Sequence, residues 1–250
     1  MKKEIDLPIL GIAAGEIMML SGHVYMGLAL HVINLQGITL ALIFGNISTE
    51  KKNLIQTLLL LLQMRILNLA MPQFFTTKLL WYPLVYGVMF ISIYFVTKQQ
   101  NITSKDIGID FNRWYLYIPL ALGIAAAMAM LEFKILDPVP LITNLKIQNI
   151  ILISIVMFIF VAAIEELIFR SILQKRLQSI FGTNKGLLLG AALFGIMHSG
   201  YGLVVEVLFA TFFGAVLGFI FQKTRSFPFI LIIHGTANVF LFGILPIVSK

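Results

Sequence analysis

The sequence contains no cysteine, which excludes disulfides, thiolate nucleophiles, Cys-based zinc sites and iron–sulfur clusters. Charge is also scarce, because Asp, Glu, Lys and Arg make up only 12% of the 250 residues, against roughly 25% in soluble domains. The aspartates lie near a terminus or between the long apolar runs, so these runs contain no pair of aspartates for an intramembrane aspartyl protease site. No HExxH or GxSxG motif occurs either, which excludes the zinc proteases and serine hydrolases that use them.

Apolar residues are abundant: they form 59% of the chain, and the mean hydropathy is +0.96. Repeated apolar runs approach the ~20 residues that a helix needs to cross a bilayer, so they are counted as spans and not as soluble domains. The sequence predicts an all-α, polytopic transmembrane helical bundle of about eight to nine spans. The predicted spans are residues 7–22, 24–45, 54–72, 79–97, 114–131, 148–168, 186–200, 203–222 and 227–247.

Basic residues are distributed unevenly between the two sides of this bundle. With the N-terminus inside, 13 of the 18 Lys and Arg residues fall on the inner side, four fall outside, and Arg65 lies within a span. This asymmetry predicts a cytoplasmic N-terminus in a cell membrane. The net charge of +7 is therefore attributed to orientation in an anionic bilayer and not to nucleic-acid binding, because no basic stripe with aromatic residues occurs.

A polar segment at residues 98–113 divides the chain into N-terminal helices, residues 1–97, and a C-terminal helical core, residues 98–250. Both are expected to form one integral membrane unit. Residues 171–181 alternate apolar and polar side chains at helical spacing and are predicted to lie along the inner membrane surface.

Ionisable residues within spans are costly, so they indicate a functional site or a paired structural contact. They concentrate on three late spans, which offer two carboxylates, two imidazoles, a guanidinium and an amide. These are Glu165, Glu166, Arg170, His198, His234 and Asn238.

Helical spacing suggests how these groups pair. Glu166 and Arg170 are four residues apart, as an acid and a base on one helical face should be, while Glu165 points about 100° away towards another helix. A carboxylate and two imidazoles in a dry pocket could activate water either by taking its proton or by holding a metal ion. A structural ion pair, or an interhelical hydrogen bond for either histidine alone, is the simpler interpretation.

The other buried ionisable residues are less informative. Arg65 and Glu16 are interpreted as a possible buried ion pair, and Glu206 as either a supporting or substrate contact or a structural residue. The GxxxG pairs Gly186/Gly190 and Gly214/Gly218 predict close helix contacts.

The motifs EExxxR, FxxxH and HxxxN, in this order on late spans, resemble the CPBP (Abi) intramembrane protease family, which includes the Ras-converting CAAX prenyl endopeptidases. The resemblance covers about residues 98–245 and includes AAIEELIFRSILQKRL and GFIFQKTRSFPFILIIHGTAN. It implies an intramembrane endopeptidase that cleaves a membrane-associated, lipidated or prenylated (CAAX-type) peptide, with its site open to the cytoplasm.

The resemblance also implies residue roles: Glu165 activates water, and His198 completes the water site. His234 and Asn238 would stabilise the oxyanion, with Glu166 and Arg170 as supports. Members of the family are described both as metalloproteases and as glutamate proteases, so no cofactor is certain. If a divalent metal such as zinc binds, Glu165, His198 and His234 are the candidate ligands.

Convergence of these residues requires similar depths in the membrane. Counted from the inner helix ends, Glu165 is shallow and His198 nearly 20 Å deep, so the seventh span is predicted to begin near 188–190. Two other functions remain open: a non-catalytic membrane protein that binds a peptide, such as a bacteriocin-immunity protein, and a small-solute transporter, for which no repeated broken-helix pattern is found.

Overall fold

A computed structural model describes residues 3–70 and 78–249, and the elements in these ranges are all helical. The predicted all-α membrane bundle is therefore confirmed. The predicted end of the third span, at residues 71–72, lies outside the described residues. The helices are α1 (Lys3–Leu20), α2 (Val24–Phe44), α3 (Thr49–Ala70), α4 (Lys78–Gln99), α5 (Ser104–Ile107), α6 (Trp114–Leu136), α7 (Ile147–Phe181), α8 (Thr183–Ile196), α9 (Val204–Thr224) and α10 (Phe227–Val248).

Nine of these described helices coincide with the nine predicted spans, and α5 is a single turn within the polar segment 98–113. Six of them, α2, α4, α6, α7, α9 and α10, are long and apolar enough to cross a membrane. The other three are α1, α3 and α8, of which α8 has only 14 residues. The chain is an integral membrane protein.

The end of α7 corrects one prediction. Residues 171–181 do not leave the bundle for the membrane surface but continue α7 to Phe181. Their polar side chains bond neighbouring segments: Ser171 Oγ donates to the Ile107 carbonyl at 2.8 Å, and Gln174 Nε2 donates to the Gly218 carbonyl at 3.0 Å. The alternation of polar and apolar residues thus comes from interhelical contacts inside the protein.

The start of α8 corrects a second prediction, because this helix begins at Thr183 and not near 188–190. Gly182, at φ +86°, ends α7 in a backbone conformation that favours glycine. Gly186 then packs so closely on α7 that a Cβ there would lie 2.4 Å from the Gln178 backbone nitrogen. The two helices therefore form a tight hairpin, and α8 needs no later start.

The longer α7 also removes the mismatch in depth. Glu165 lies about 24 Å along the helix from Phe181, and His198 lies about 22 Å from Thr183, at 1.5 Å per residue. The sequence-based estimate made Glu165 shallow because it ended the membrane segment near Arg170. Both residues are in fact at comparable depth.

Among the described residues, the two largest of three hydrophobic cores hold most of these helices in place. The larger core joins α1–α4 to α7 and α8, with fully buried members such as Ile12, Leu58 and Ile168. The second core packs α6 against α9 and α10, where Ala121, Ala125 and Ala129 present small side chains to their neighbours. The N-terminal helices therefore pack directly against the helices that carry the late polar motifs.

Candidate active site

The EExxxR motif lies near the middle of α7: its two glutamates lie between π-helical stretches at Val156–Ala162 and Leu167–Gln174, and Arg170 lies within the second stretch. Such wide turns are often found at functional sites. The predicted pairing of Glu166 with Arg170 is confirmed: Arg170 Nε lies 3.2 Å from Glu166 Oε2, with both side chains buried. Arg170 also stacks over the Phe194 ring, 4.2 Å from its centroid, so its cation is enclosed between an acid and an aromatic face.

His234, on α10, meets both glutamates. Its Nδ1 donates to Glu166 Oε1 at 2.7 Å, and its Nε2 lies 3.8 Å from Glu165 Oε2. Glu166 thus forms an ion pair with Arg170 through one oxygen and accepts a hydrogen bond from His234 with the other. This carboxylate fixes the imidazole so that Nε2 faces Glu165.

Glu165 differs from its neighbour because no Lys or Arg side chain within residues 3–70 and 78–249 pairs with it. The Tyr86 hydroxyl, on α4, donates to Glu165 Oε1 at 3.1 Å, and the other oxygen is the one nearest His234. The predicted turn of Glu165 towards other helices is confirmed. Its carboxylate is held in place by a hydroxyl, and it can accept a proton.

His198 lies just beyond the end of α8, in a non-helical backbone conformation. Its Nδ1 lies 2.9 Å from the Phe194 carbonyl. Since a carbonyl only accepts, Nδ1 carries the hydrogen, and Nε2 of the neutral ring has a free lone pair. The Phe194 ring lies 4.8 Å from the His198 ring and 6.0 Å from the His234 ring, centroid to centroid, so it forms a wall beside both.

A cavity of about 340 Å³ brings most of these groups together. Four of the six predicted site residues line it: Glu165, His198, His234 and Asn238. Glu166 and Arg170 lie behind them and do not line the cavity. The remaining wall is largely apolar and aromatic, including Trp81, Tyr82, Val85, Met157, Val161, Phe169 and Phe242.

Residues 147–240 match the family model described as type II CAAX prenyl endopeptidase Rce1-like. The matched segment is similar to proteases of this family, and its residues 147–240 are called the Rce1-like domain. The matched range contains all six predicted site residues and runs from α7 into α10, which confirms the resemblance to the CPBP family. No curated protein and no solved structure matches the chain.

The candidate zinc ligands in the Rce1-like domain do not form a metal site in this geometry. Among the described residues, no group of three His, Asp or Glu side chains is placed to hold a metal ion. The His234 edge nearest Glu165 is 3.8 Å from the carboxylate, and His198 uses Nδ1 on a backbone carbonyl.

Two cavity residues outside the Rce1-like match were missed from the sequence. Tyr86 bonds Glu165, but tyrosines are common in apolar helices and nothing local distinguishes this one. Glu132 lines the cavity from α6. The predicted span ends at residue 131, whereas α6 continues to Leu136, so a longer span would have included this charged residue. Glu206, left open above, is fully buried and does not line this cavity.

Proposed function

We propose that this protein is an intramembrane endopeptidase that hydrolyses a peptide bond of a membrane-anchored or prenylated, CAAX-type peptide through a water molecule activated by Glu165. The observation that carries the proposal is the Glu165 carboxylate, which accepts one hydrogen bond from Tyr86 and lines the cavity shared with His198, His234 and Asn238. The Rce1-like match over residues 147–240 supports both the protease activity and the class of substrate.

Glu165 acts as the general base. It takes a proton from water as the water oxygen attacks the scissile carbonyl carbon, and it later gives that proton to the leaving amine. The Tyr86 hydroxyl donates to one oxygen of the Glu165 carboxylate and so orients it, with the other oxygen towards His234. The free lone pair of His198 Nε2 accepts the second hydrogen of the water and so fixes its direction of attack.

His234 and Asn238 stabilise the oxyanion. They are four residues apart on α10, and both line the cavity. Glu166 accepts from Nδ1 and so stabilises an imidazolium, as the aspartate of the serine-protease triad does, which allows Nε2 to present a proton to the developing negative charge. Arg170 holds Glu166 for this role. Glu166 and Arg170 are therefore positioning residues.

The cavity suits an apolar peptide segment. Its volume of about 340 Å³ is at the lower end of ligand pockets, and its apolar wall excludes bulk water from the reacting groups. With the N-terminus inside, the lining residues Arg65, Glu132 and His198 lie near or beyond the outer ends of their helices, so a cytoplasmic opening is implied by the resemblance to the CPBP family and not by the orientation of the helices.

The experiment is proteolysis by the purified protein in liposomes, with mass spectrometry of prenylated and unprenylated membrane peptides. Glu165→Gln should abolish cleavage, whereas Glu206→Gln, a buried carboxylate outside the cavity, should retain it. Loss of cleavage in both variants, or in neither, would contradict the assignment of Glu165. A parallel reaction after chelation and dialysis should keep its rate, and recovery only with Zn²⁺ would replace the metal-independent mechanism.

A further inference from the structure

A second buried charge cluster lies on the N-terminal helices, outside the Rce1-like match. It consists of Glu16 on α1, His31 on α2 and Arg65 on α3. Arg65 Nε and Nη2 donate to the two oxygens of Glu16, each at 2.7 Å, which is a bidentate pair. His31 Nε2 lies 3.1 Å from Glu16 Oε1. All three side chains are buried, and the sequence-based pairing of Arg65 with Glu16 is confirmed.

This cluster reaches the residues on either side of His198. Arg65 Nη2 also donates to the Met197 carbonyl, and Ser199 Oγ donates to Glu16 Oε2. The last carbonyls of a helix have no partner within that helix. Arg65 supplies a hydrogen-bond donor to the carbonyl of Met197, the residue directly after the end of α8 at Ile196.

We propose that the Glu16–Arg65 pair positions His198 for the reaction, so that the N-terminal helices complete a site otherwise built by the Rce1-like domain. The inference rests on the proposed function. His198 is in non-helical backbone, where only the Phe194 contact ties its ring to α8. Bonds to the peptide carbonyl before it and the hydroxyl after it fix the direction of the imidazole.

Two glycines show how closely the chain is fitted around this cluster. A Cβ at Gly15 would lie 2.7 Å from the His31 ring, so glycine leaves the space in which His31 approaches Glu16. A Cβ at Gly200 would lie 3.3 Å from Arg65 Nη1, which places the turn after His198 directly against the guanidinium. The cluster and the turn after His198 therefore pack directly against each other.

The kinetic experiment separates positioning from stability. Arg65→Gln should lower kcat about a hundredfold with little change in KM, as expected when a reacting group is displaced. Glu16→Gln and Ser199→Ala do not alter cavity-lining side chains, and each should lower kcat by roughly tenfold or more. The control is Leu58→Ala on α3, which removes buried core contacts at a residue that does not line the cavity. If Leu58→Ala, at an equal loss of thermal stability, lowers kcat as much, the cluster is only structural.

The second readout does not depend on activity. Nitrogen NMR of histidine-labelled protein in lipid should show the His198 imidazole signals shifted in Ser199→Ala and Arg65→Gln, with those of His234 unchanged. Unchanged His198 signals in both variants would overturn the proposal. If the wild-type protein cleaves no peptide, the proposed function fails, and the NMR comparison still decides whether the N-terminal pair positions His198.

Discussion

The two buried charge clusters use the same residue types and differ in how far their carboxylates are satisfied. Glu16 accepts two bonds from Arg65 and one from Ser199, with His31 beside it, and it does not line the cavity. Glu165 has one hydroxyl donor and lines the cavity, and the nearest nitrogen of His234 is 3.8 Å away.

This difference separates a structural acid from a reactive one. A carboxylate whose two oxygens both accept from a buried guanidinium has little capacity for a new proton, so it holds helices together. A carboxylate with an unengaged oxygen at a cavity can accept a proton from water. Burial and charge alone, which are common to both clusters, do not distinguish these roles.

The same substitution at the two acids should have opposite effects on stability and should lower the cleavage rate far more at Glu165 than at Glu16. Glu165→Gln is expected to lower the cleavage rate by about 10³- to 10⁴-fold, because the general base is lost. Its thermal stability should stay at or above that of the wild type, since an incompletely paired buried charge is removed. Cleavage assays and melting curves on the same liposome preparation test both parts. A large loss of stability would show that Glu165 is structural too.

Glu16→Gln should instead destabilise the fold. Loss of one partner of a buried ion pair leaves the other uncompensated and costs about 3–5 kcal/mol in the free energy of unfolding. The double variant Glu16→Leu/Arg65→Met removes both charges and should recover most of that loss. Reversible unfolding in mixed detergent micelles measures all three proteins. Equal destabilisation by the double variant would show that the charges are not coupled.

Tyr86→Phe tests what the single hydroxyl donor contributes to Glu165. A hydrogen bond to a charged group is worth about 1.5 kcal/mol or more, so the cleavage rate should fall roughly tenfold with an unchanged fold. Tyr82→Phe removes a hydroxyl from another tyrosine in the same cavity wall and serves as the comparison. If both variants lose the same activity, the Tyr86 bond has no special role.

Asp106, an exposed acid, extends the comparison, and its interactions should have the smallest effect on stability. Thr103 and Asp106 form a capping box at the start of α5, and the two hydrogen bonds from Thr103 lower the pKa of Asp106 below its ordinary value. Such an acid stabilises the fold above its unfolded-state pKa and loses that contribution as pH falls through the lower folded-state value.

Thr103→Ala should therefore cost about 1 kcal/mol near neutral pH, and the difference from wild type should shrink as the solution is acidified below about pH 4. Melting temperatures of both proteins between about pH 6 and 3 provide the measurement. A difference that grows on acidification would contradict the sign of the pKa shift.

The local part of the site could be predicted from the sequence because helical spacing fixes it. Glu166 with Arg170, and Phe194 beside His198, follow from four-residue separation. The contact between Glu166 and His234 depends on how α7 and α10 pack, and the motif order only made it plausible.

Three features could not be predicted because they depend on distant parts of the chain. Tyr86 approaches Glu165 across 79 residues of sequence. The polar face of residues 171–181 resembles that of a surface helix until its partners, Ile107 and Gly218, are known. The contact of Ser199 with Glu16 joins residues 183 apart, and no local pattern reports such a pairing.

The most direct test of the central claim is one turnover of cleavage in H₂¹⁸O, followed by mass spectrometry of the peptide and of the protein fragment that contains Glu165. If Glu165 activates water, one ¹⁸O enters the new peptide carboxylate in the first turnover, and Glu165 stays unlabelled. An unlabelled peptide product with ¹⁸O in the Glu165 side chain would show that the carboxylate itself attacks the substrate, and it would contradict the account.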